Sequence, residues 1–335
     1  MTAETVVLGG GSWGTALAVH LARSGQAVSL WVHDPRLAEA MLRDRVNEKY
    51  LPGHAIPESV AITPDLCEAI AGRCDVIVAV PSHHCREVLS SGASSISSAR
   101  SLVVASKGIE NSTLMRISEI AGEVLSGAVS KRIAVLSGPS FAQEVALGHP
   151  TAVVVSSRDT DLAARLQRSL SSGNLRVYAS ADTIGVELGG ALKNVIAIGA
   201  GAVAGLGYGT NTLAALITRG LAEISALAEA LGGRRETLAG LAGLGDLVLT
   251  CTGALSRNRA LGLGLGRGLS LAECQASTPM VAEGVRTARS AHMLARRHRV
   301  DMPITDKVHA LLYDNQSPAD AISELLARDL KREDA

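Results

Sequence analysis

Thr5-Val6-Val7-Leu8-Gly9-Gly10-Gly11-Ser12-Trp13-Gly14-Thr15-Ala16 is the stretch that decides the fold. A β-branched run at 5–8 predicts a strand, residues 13–23 carry helical spacing, and a second strand follows at 27–31. Between the first strand and the helix, Gly9, Gly11 and Gly14 fit GxGxxG. Each glycine has a physical task in a dinucleotide-binding turn. The first permits the tight turn, the second lets the backbone approach a pyrophosphate, and the third lets helix and strand pack closely. The helix start then offers free N–H donors to the phosphates. Asp34 stands 20 residues beyond Gly14, where a ribose-binding acid is expected, and before Pro35 it equally fits a helix N-cap. His33 and Arg36 beside it suit a 2′-phosphate, so NAD and NADP both stay open.

Working outward, short apolar runs predict further strands at 75–80, 101–105, 133–136, 152–156 and 175–178. They lack strict polar alternation, as strands of a sheet covered on both faces do. The rhythm of strand and helix predicts an α/β domain, a doubly wound, Rossmann-like and mostly parallel sheet, over residues 1–180. Residues 181–335 read differently. Helical spacing dominates at 210–231, 281–297, 304–312 and 318–325, and only 247–249 hints at a strand. This half is expected to be an all-helical substrate and catalytic domain. No low-complexity linker separates the halves, so a cleft between packed domains is the expected ligand site.

Composition narrows the function. The 335 residues hold 32 Lys+Arg against 32 Asp+Glu, which argues against a generally basic nucleic-acid binder. Two Trp, four Tyr and one Phe offer few platforms for stacking bases. Five cysteines, an odd number without CxxC, predict small core residues in a reduced, cytoplasmic setting. The N-terminus has no basic segment of a signal peptide. The longest apolar stretch, 195–206, is short of the roughly 18 residues of a membrane span. No metal-ligand spacing and no GxSxG elbow occur, so neither a metal nor a serine triad is expected.

Candidate chemistry gathers at predicted strand ends and in the helical half. Lys107 closes Ser106-Lys107-Gly108 at a carboxyl edge, as a point charge facing an anion or carbonyl. Gly138 and Ser140 sit in a similar strand-to-helix turn. His83 and His84 lack an identifiable carboxylate and read as loop histidines. Lys193 stands in an apolar, small-residue helix, with Gly189 and Gly190 one turn before it. That absence of bulk suggests room for a ligand, and a desolvated lysine serves as general acid or base. Pairing with Glu187 is the bland alternative. Asp246, in an apolar setting, could orient Lys193, bind a hydroxyl, or cap a helix. Ser256-Arg257-Asn258-Arg259 opens a helix with Ser256 as N-cap, a fit for a phosphate. On spacing alone Glu283 reads as a first-turn helix acid.

Taken in order, Gly9–Ala16, Ser106-Lys107-Gly108, 137–142, 188–199, 242–252 and 256–259 resemble the bacterial NAD(P)-dependent sn-glycerol-3-phosphate dehydrogenase family over nearly the whole chain. The resemblance implies reversible reduction of dihydroxyacetone phosphate to sn-glycerol 3-phosphate for glycerophospholipid synthesis, with NAD or NADP. It implies that Ser12, Trp13, His33, Ala142, Val281 and Glu283 contact the cofactor, which changes the reading of Glu283. Lys107 and Arg257 would touch cofactor and substrate. Gly138, Ser140, Asp246, Ser256 and Asn258 would touch substrate, and Lys193 would be the proton acceptor. Ala282 replaces an expected valine, and Val32 stands where some members carry a basic residue. The partner is a small phosphorylated substrate, with no nucleic acid and no membrane span, and a homodimer is expected from common symmetry. Two alternatives remain at this point: a β-hydroxyacid dehydrogenase-like enzyme, which would not need the phosphate site at 256–258, and a non-catalytic nicotinamide sensor, which would not need Lys193 beside Asp246.

Overall fold

Val6, Leu8, Val76, Val78, Leu102 and Val104 pack into one buried layer, while Val7, Leu30, Ile77 and Val103 pack into another. Successive strand residues point to opposite faces. Two cores therefore sandwich one sheet, and that is why its strands show no polar alternation. The computed structural model describes residues 4–70, 72, 74–125, 131–276, 282–330 and 332. Among these, the strands are β1 (Thr5–Leu8), β2 (Val28–Trp31), β3 (Val46–Asn47), β4 (Leu51–Ala55), β5 (Val60–Thr63), β6 (Asp75–Val78), β7 (Ser101–Val104), β8 (Ile133–Ser137), β9 (Thr151–Ser156) and β10 (Leu175–Ser180).

Eight strands form a sheet in the order β10-β9-β8-β7-β6-β1-β2-β5. β1 pairs in parallel with β2 on one side, Thr5 opposite Val28, and with β6 on the other, Thr5 opposite Asp75. The order reverses there, so a crevice opens at the carboxyl end of β1 and β6, the usual ligand position in such sheets. The fold is the expected Rossmann-like one with a helical second part. Three features differ from the sequence reading. β5 adds an unexpected parallel edge strand beside β2. β3 and β4 make a small antiparallel hairpin, hidden because β4 contains Pro52 and Gly53, both poor strand formers. β9 runs antiparallel to β8, and β10 follows β9 in parallel. Only the six-residue helix Ala142–Leu147 lies between β8 and β9, and it packs on Ser12–Arg23 instead of crossing the sheet.

No linker follows the sheet. β10 ends at Ser180, and the Asp182 side chain caps the helix Thr183–Gly205 through Gly185 N–H at 2.9 Å. This 23-residue helix is long and apolar enough to cross a membrane by length and composition, because it starts well before the apolar stretch at 195. Here 89% of its apolar window is buried in protein, against Thr210–Ala230, Asp246–Thr252, Arg257–Gly266, Glu283–His298 and Pro303–Tyr313. Residues 247–249 are thus helical, not a strand.

Glycines set how closely these helices meet. A Cβ on Gly262 would lie 1.9 Å from the Ile198 carbonyl oxygen, and one on Gly201 would lie 2.0 Å from that of Arg259. Gly262→Ala therefore has to push two backbones apart. Overpacking of this kind costs about 1–3 kcal/mol. A lower denaturant midpoint at unchanged slope is the expected result; an unchanged midpoint would mean the contact is looser than described.

Candidate active site

Lys193 lies mid-way along Thr183–Gly205 and is only 7% exposed. A lysine there needs a partner, since an isolated buried ammonium is costly. Its Nζ donates to Oδ1 of Asp246, which is fully buried. The other carboxylate oxygen, Oδ2, accepts from Lys107 Nζ at 2.7 Å, and Lys107 Nζ also donates to the Gly138 carbonyl at 3.1 Å. Two ammoniums thus share one carboxylate, an arrangement that is net positive while both are protonated. Burial pushes Lys193 down to about 7, with Asp246 opposing the shift and the Lys107 charge adding to it. The bland pairing with Glu187 is not what forms. Glu187 accepts instead from Arg116 at 2.9 Å and from the Ser118 N–H and hydroxyl, tying the helix to the sheet side.

Local sequence explains how these groups are aimed. Lys107 follows β7 and Gly138 follows β8, so both stand at the carboxyl edge of the sheet. Gly138 has φ +130°, and its Cβ would lie 3.0 Å from Val153 Cα, so a side chain is excluded twice over. Asp246 is presented by a π-helical turn, Leu241–Gly245, closed by a Gly245 N–H to Gly240 carbonyl bond of 3.1 Å. Such turns recur at functional sites. Asp246 is the first residue of the helix Asp246–Thr252, yet its carboxylate serves the lysines and caps nothing. Gly189 and Gly190 do not leave open space for a ligand, which corrects the sequence reading. A Cβ on Gly189 would lie 2.4 Å from the Ala242 carbonyl oxygen, and one on Gly190 2.4 Å from Ser137 Oγ. Their smallness lets the helix press against the π-turn and β8, and so brings Lys193 to Asp246.

The glycine turn lies two strands away, at the end of β1. With strands about 4.8 Å apart, the ends of β1 and β7 are roughly 10 Å apart. Gly9 has φ +128°, and its Cβ would lie 2.8 Å from the Ala79 carbonyl oxygen; a Cβ on Gly14 would lie 1.9 Å from the Gly9 carbonyl oxygen. Gly11 differs: no atom lies within 4 Å of where its Cβ would be. It heads the helix Ser12–Arg23 with no side-chain cap, so the first N–H groups face that open space. This fits a pyrophosphate. Ser12 and Trp13 are half-buried in the first turn, and Trp13 packs with Ala142 around Ala16 and Val145. His33 is exposed, edge-on to Trp31. Asp34 accepts from Arg36 N–H at 3.0 Å and caps Pro35–Asp44.

Several other expected residues prove to be committed within the protein. Ser140 Oγ donates to the Gly138 carbonyl at 2.9 Å. Ser256 caps Arg257–Gly266 by accepting from Arg259 N–H at 3.2 Å, leaving the Arg257 side chain exposed at the helix start. The Asn258 amide donates to Asn194 Oδ1 and accepts from Gly284 N–H, each at 2.9 Å. It bridges the Lys193 helix to Glu283–His298. Glu283 accepts from the Ser82 hydroxyl at 2.6 Å and from Ser82 N–H at 3.3 Å, and burial raises its pKa. It thereby links the helical half to the end of β6. Val281 lies outside the described residues. Ser82 and Asn194 were missed from sequence, although each adjoins a residue singled out there. His83 is pushed down to about 4 by burial, with Arg286 and His84 adding to the shift, and has no carboxylate partner among the described residues.

Residues 4–163 match the N-terminal part, and residues 182–323 the C-terminal part, of NAD-dependent glycerol-3-phosphate dehydrogenase. The glycerol-3-phosphate dehydrogenase [NAD(P)+] of Geobacter metallireducens is 52% identical over 327 residues, 98% of each chain. That of Geobacter sulfurreducens is 50% identical over 333 residues, 99% of each chain. The crystal structure of glycerol-3-phosphate dehydrogenase from Coxiella burnetii superposes with a TM-score of 0.93 at 41% identity, covering 97% of this chain and 99% of that one.

Proposed function

The chain belongs to the NAD-dependent glycerol-3-phosphate dehydrogenase family and is an NAD(P)-dependent enzyme of that activity, and from that premise we propose that Lys193 is its general acid and base. The observation that carries this role is the buried Lys193–Asp246–Lys107 cluster at the carboxyl edge of the sheet. Gly9, Gly11, Gly14 and the start of Ser12–Arg23 would hold the pyrophosphate of NAD or NADP, and the bound reduced nicotinamide supplies a hydride.

The protein's own groups do the rest. Lys193 Nζ gives a proton to the carbonyl oxygen of dihydroxyacetone phosphate as charge develops there, and takes it back from sn-glycerol 3-phosphate in reverse. Asp246 fixes the direction of that ammonium. Lys107 adds positive charge near the same oxygen, where preorganised charge favours the transition state. Arg257 and the free N–H groups at the start of Arg257–Gly266 grip the phosphate, and this remote binding energy orients the carbonyl. Asn258 is a positioning residue in this reading, because both ends of its amide are engaged. Ser12, Trp13, His33, Ala142, Val281 and Glu283 are carried as cofactor neighbours, and Gly138, Ser140 and Ser256 as substrate neighbours, on the family resemblance. Supply of sn-glycerol 3-phosphate for glycerophospholipids, a homodimeric state and the division at 180/181 belong to the same proposal. A cytoplasmic setting joins them, supported by an odd number of cysteines without a CxxC spacing.

The test follows nicotinamide absorbance with dihydroxyacetone phosphate, using NADH and NADPH in parallel. Substrate-dependent oxidation is expected. Folded protein that binds a cofactor but turns over neither would remove the assignment. The pH profile adds a sign. Reduction needs Lys193 protonated, so kcat/KM should fall tenfold per pH unit above about 7. Oxidation needs it neutral, so kcat/KM should rise with pH up to about 7 and then level off. Flat profiles in both directions would exclude Lys193 as the titrating group.

A further inference from the structure

Arg257, Arg267, Arg286 and Arg289 all line one cavity of about 920 Å³ in the helical half, together with Asn111 and Gln275, and no acidic residue is among its described lining residues. None of the four makes an ion pair with a described residue. Helix geometry explains the convergence. Arg257, Ala260, Leu261, Gly264 and Arg267 follow a spacing of three and four along and just past Arg257–Gly266, so they share one face. Arg286 and Arg289 lie three apart on Glu283–His298. At 1.5 Å rise per residue, Arg257 and Arg267 sit roughly 15 Å apart along their helix. Between these charges the wall is apolar, built by Leu261, Leu263, Leu269, Leu271 and Val285. Tyr313 closes one side, its hydroxyl donating to the Val285 carbonyl at 2.8 Å.

A single phosphate can satisfy two arginines, not four spread over this length. Four guanidiniums without a salt bridge among the described residues, two of them facing the single carboxylate of Glu283, leave a net positive, partly apolar hollow that suits a longer anion with several phosphates and an organic portion. We propose that this cavity binds an organic polyphosphate and that its occupancy inhibits the enzyme. Arg257 gives the coupling. It lines the cavity and also stands at the helix start assigned to the substrate phosphate, so a polyanion that draws it into the cavity weakens that grip. Binding itself does not depend on the assigned reaction; only the inhibition does.

The probes are tripolyphosphate, ATP and inorganic phosphate, measured by calorimetry on the whole protein. Arg267→Gln/Arg289→Gln is the test variant, because both residues are exposed and outside the catalytic cluster. Tripolyphosphate should bind wild type, and the variant at least tenfold more weakly, since charge-assisted contacts are strong. Inorganic phosphate should show no such difference. Arg267→Lys/Arg289→Lys should recover part of the affinity. Tighter binding of ATP than tripolyphosphate would assign the apolar wall to a nucleoside; equal binding would assign the site to bare polyphosphate. Kinetically, tripolyphosphate should raise KM for the phosphorylated substrate at constant kcat, and this effect should be lost in the Gln variant while basal activity stays. Equal affinity in wild type and variant, or no binding to wild type, would overturn the proposal. A dead enzyme with variant-sensitive tripolyphosphate binding would count against the assigned reaction and not against the cavity.

Discussion

Lys193→Ala should lower kcat by about 10²- to 10⁴-fold in both directions, the usual range for a lost general acid-base group. Cofactor affinity should be unchanged, because the glycine turn lies on β1 and Lys193 does not contribute to it. The variant leaves Asp246 with Lys107 as its remaining lysine at 2.7 Å, so the carboxylate is still paired and the protein should still fold. That separates it from Asp246→Ala, which leaves two ammoniums without their shared carboxylate and would confuse a lost role with a lost fold. Two measurements decide: fluorescence titration of NADH, and turnover with dihydroxyacetone phosphate. Retained binding with lost turnover supports the role. Turnover within a few-fold of wild type would move proton transfer to another group, and Lys107 would be the first to examine.

Gly14→Ala and Gly11→Ala should behave in opposite ways, although both sit in one turn. At Gly14 the new Cβ would stand 1.9 Å from the Gly9 carbonyl oxygen, so the turn must open before any ligand arrives. The expected outcome is destabilisation of roughly 1–3 kcal/mol or more, together with loss of cofactor binding. At Gly11 nothing lies within 4 Å of the new Cβ, so thermal stability should stay within about 0.5 kcal/mol of wild type. Cofactor affinity should fall at least tenfold all the same, because the methyl group occupies the space from which a pyrophosphate would approach. Melting curves with and without NADH check both claims. Unchanged NADH affinity in Gly11→Ala would mean the phosphates bind elsewhere.

The sequence by itself determined what is local. Strand Thr5–Leu8, the φ-demanding Gly9, the helix after Gly11 and the second strand follow from short-range sterics and periodicity, and their bounds agree with the structure to within a residue. The motif of Lys193 among small residues was legible for the same reason: a charge in an apolar helical run is visible without a fold. What the small residues do was not legible. A glycine reads alike whether it admits a ligand or another backbone, and only the packed structure put Ala242 and Ser137 against Gly189 and Gly190. Likewise Lys107 and Lys193 reach Asp246 across 139 and 53 residues of chain, a convergence that no periodicity records. The antiparallel turn into β9 and the two bonds that the Asn258 amide makes to Asn194 and Gly284 are contacts of the same long-range kind. Local sterics write themselves into neighbouring residues, whereas the sharing of one carboxylate by two distant lysines exists only once sheet and helices have packed.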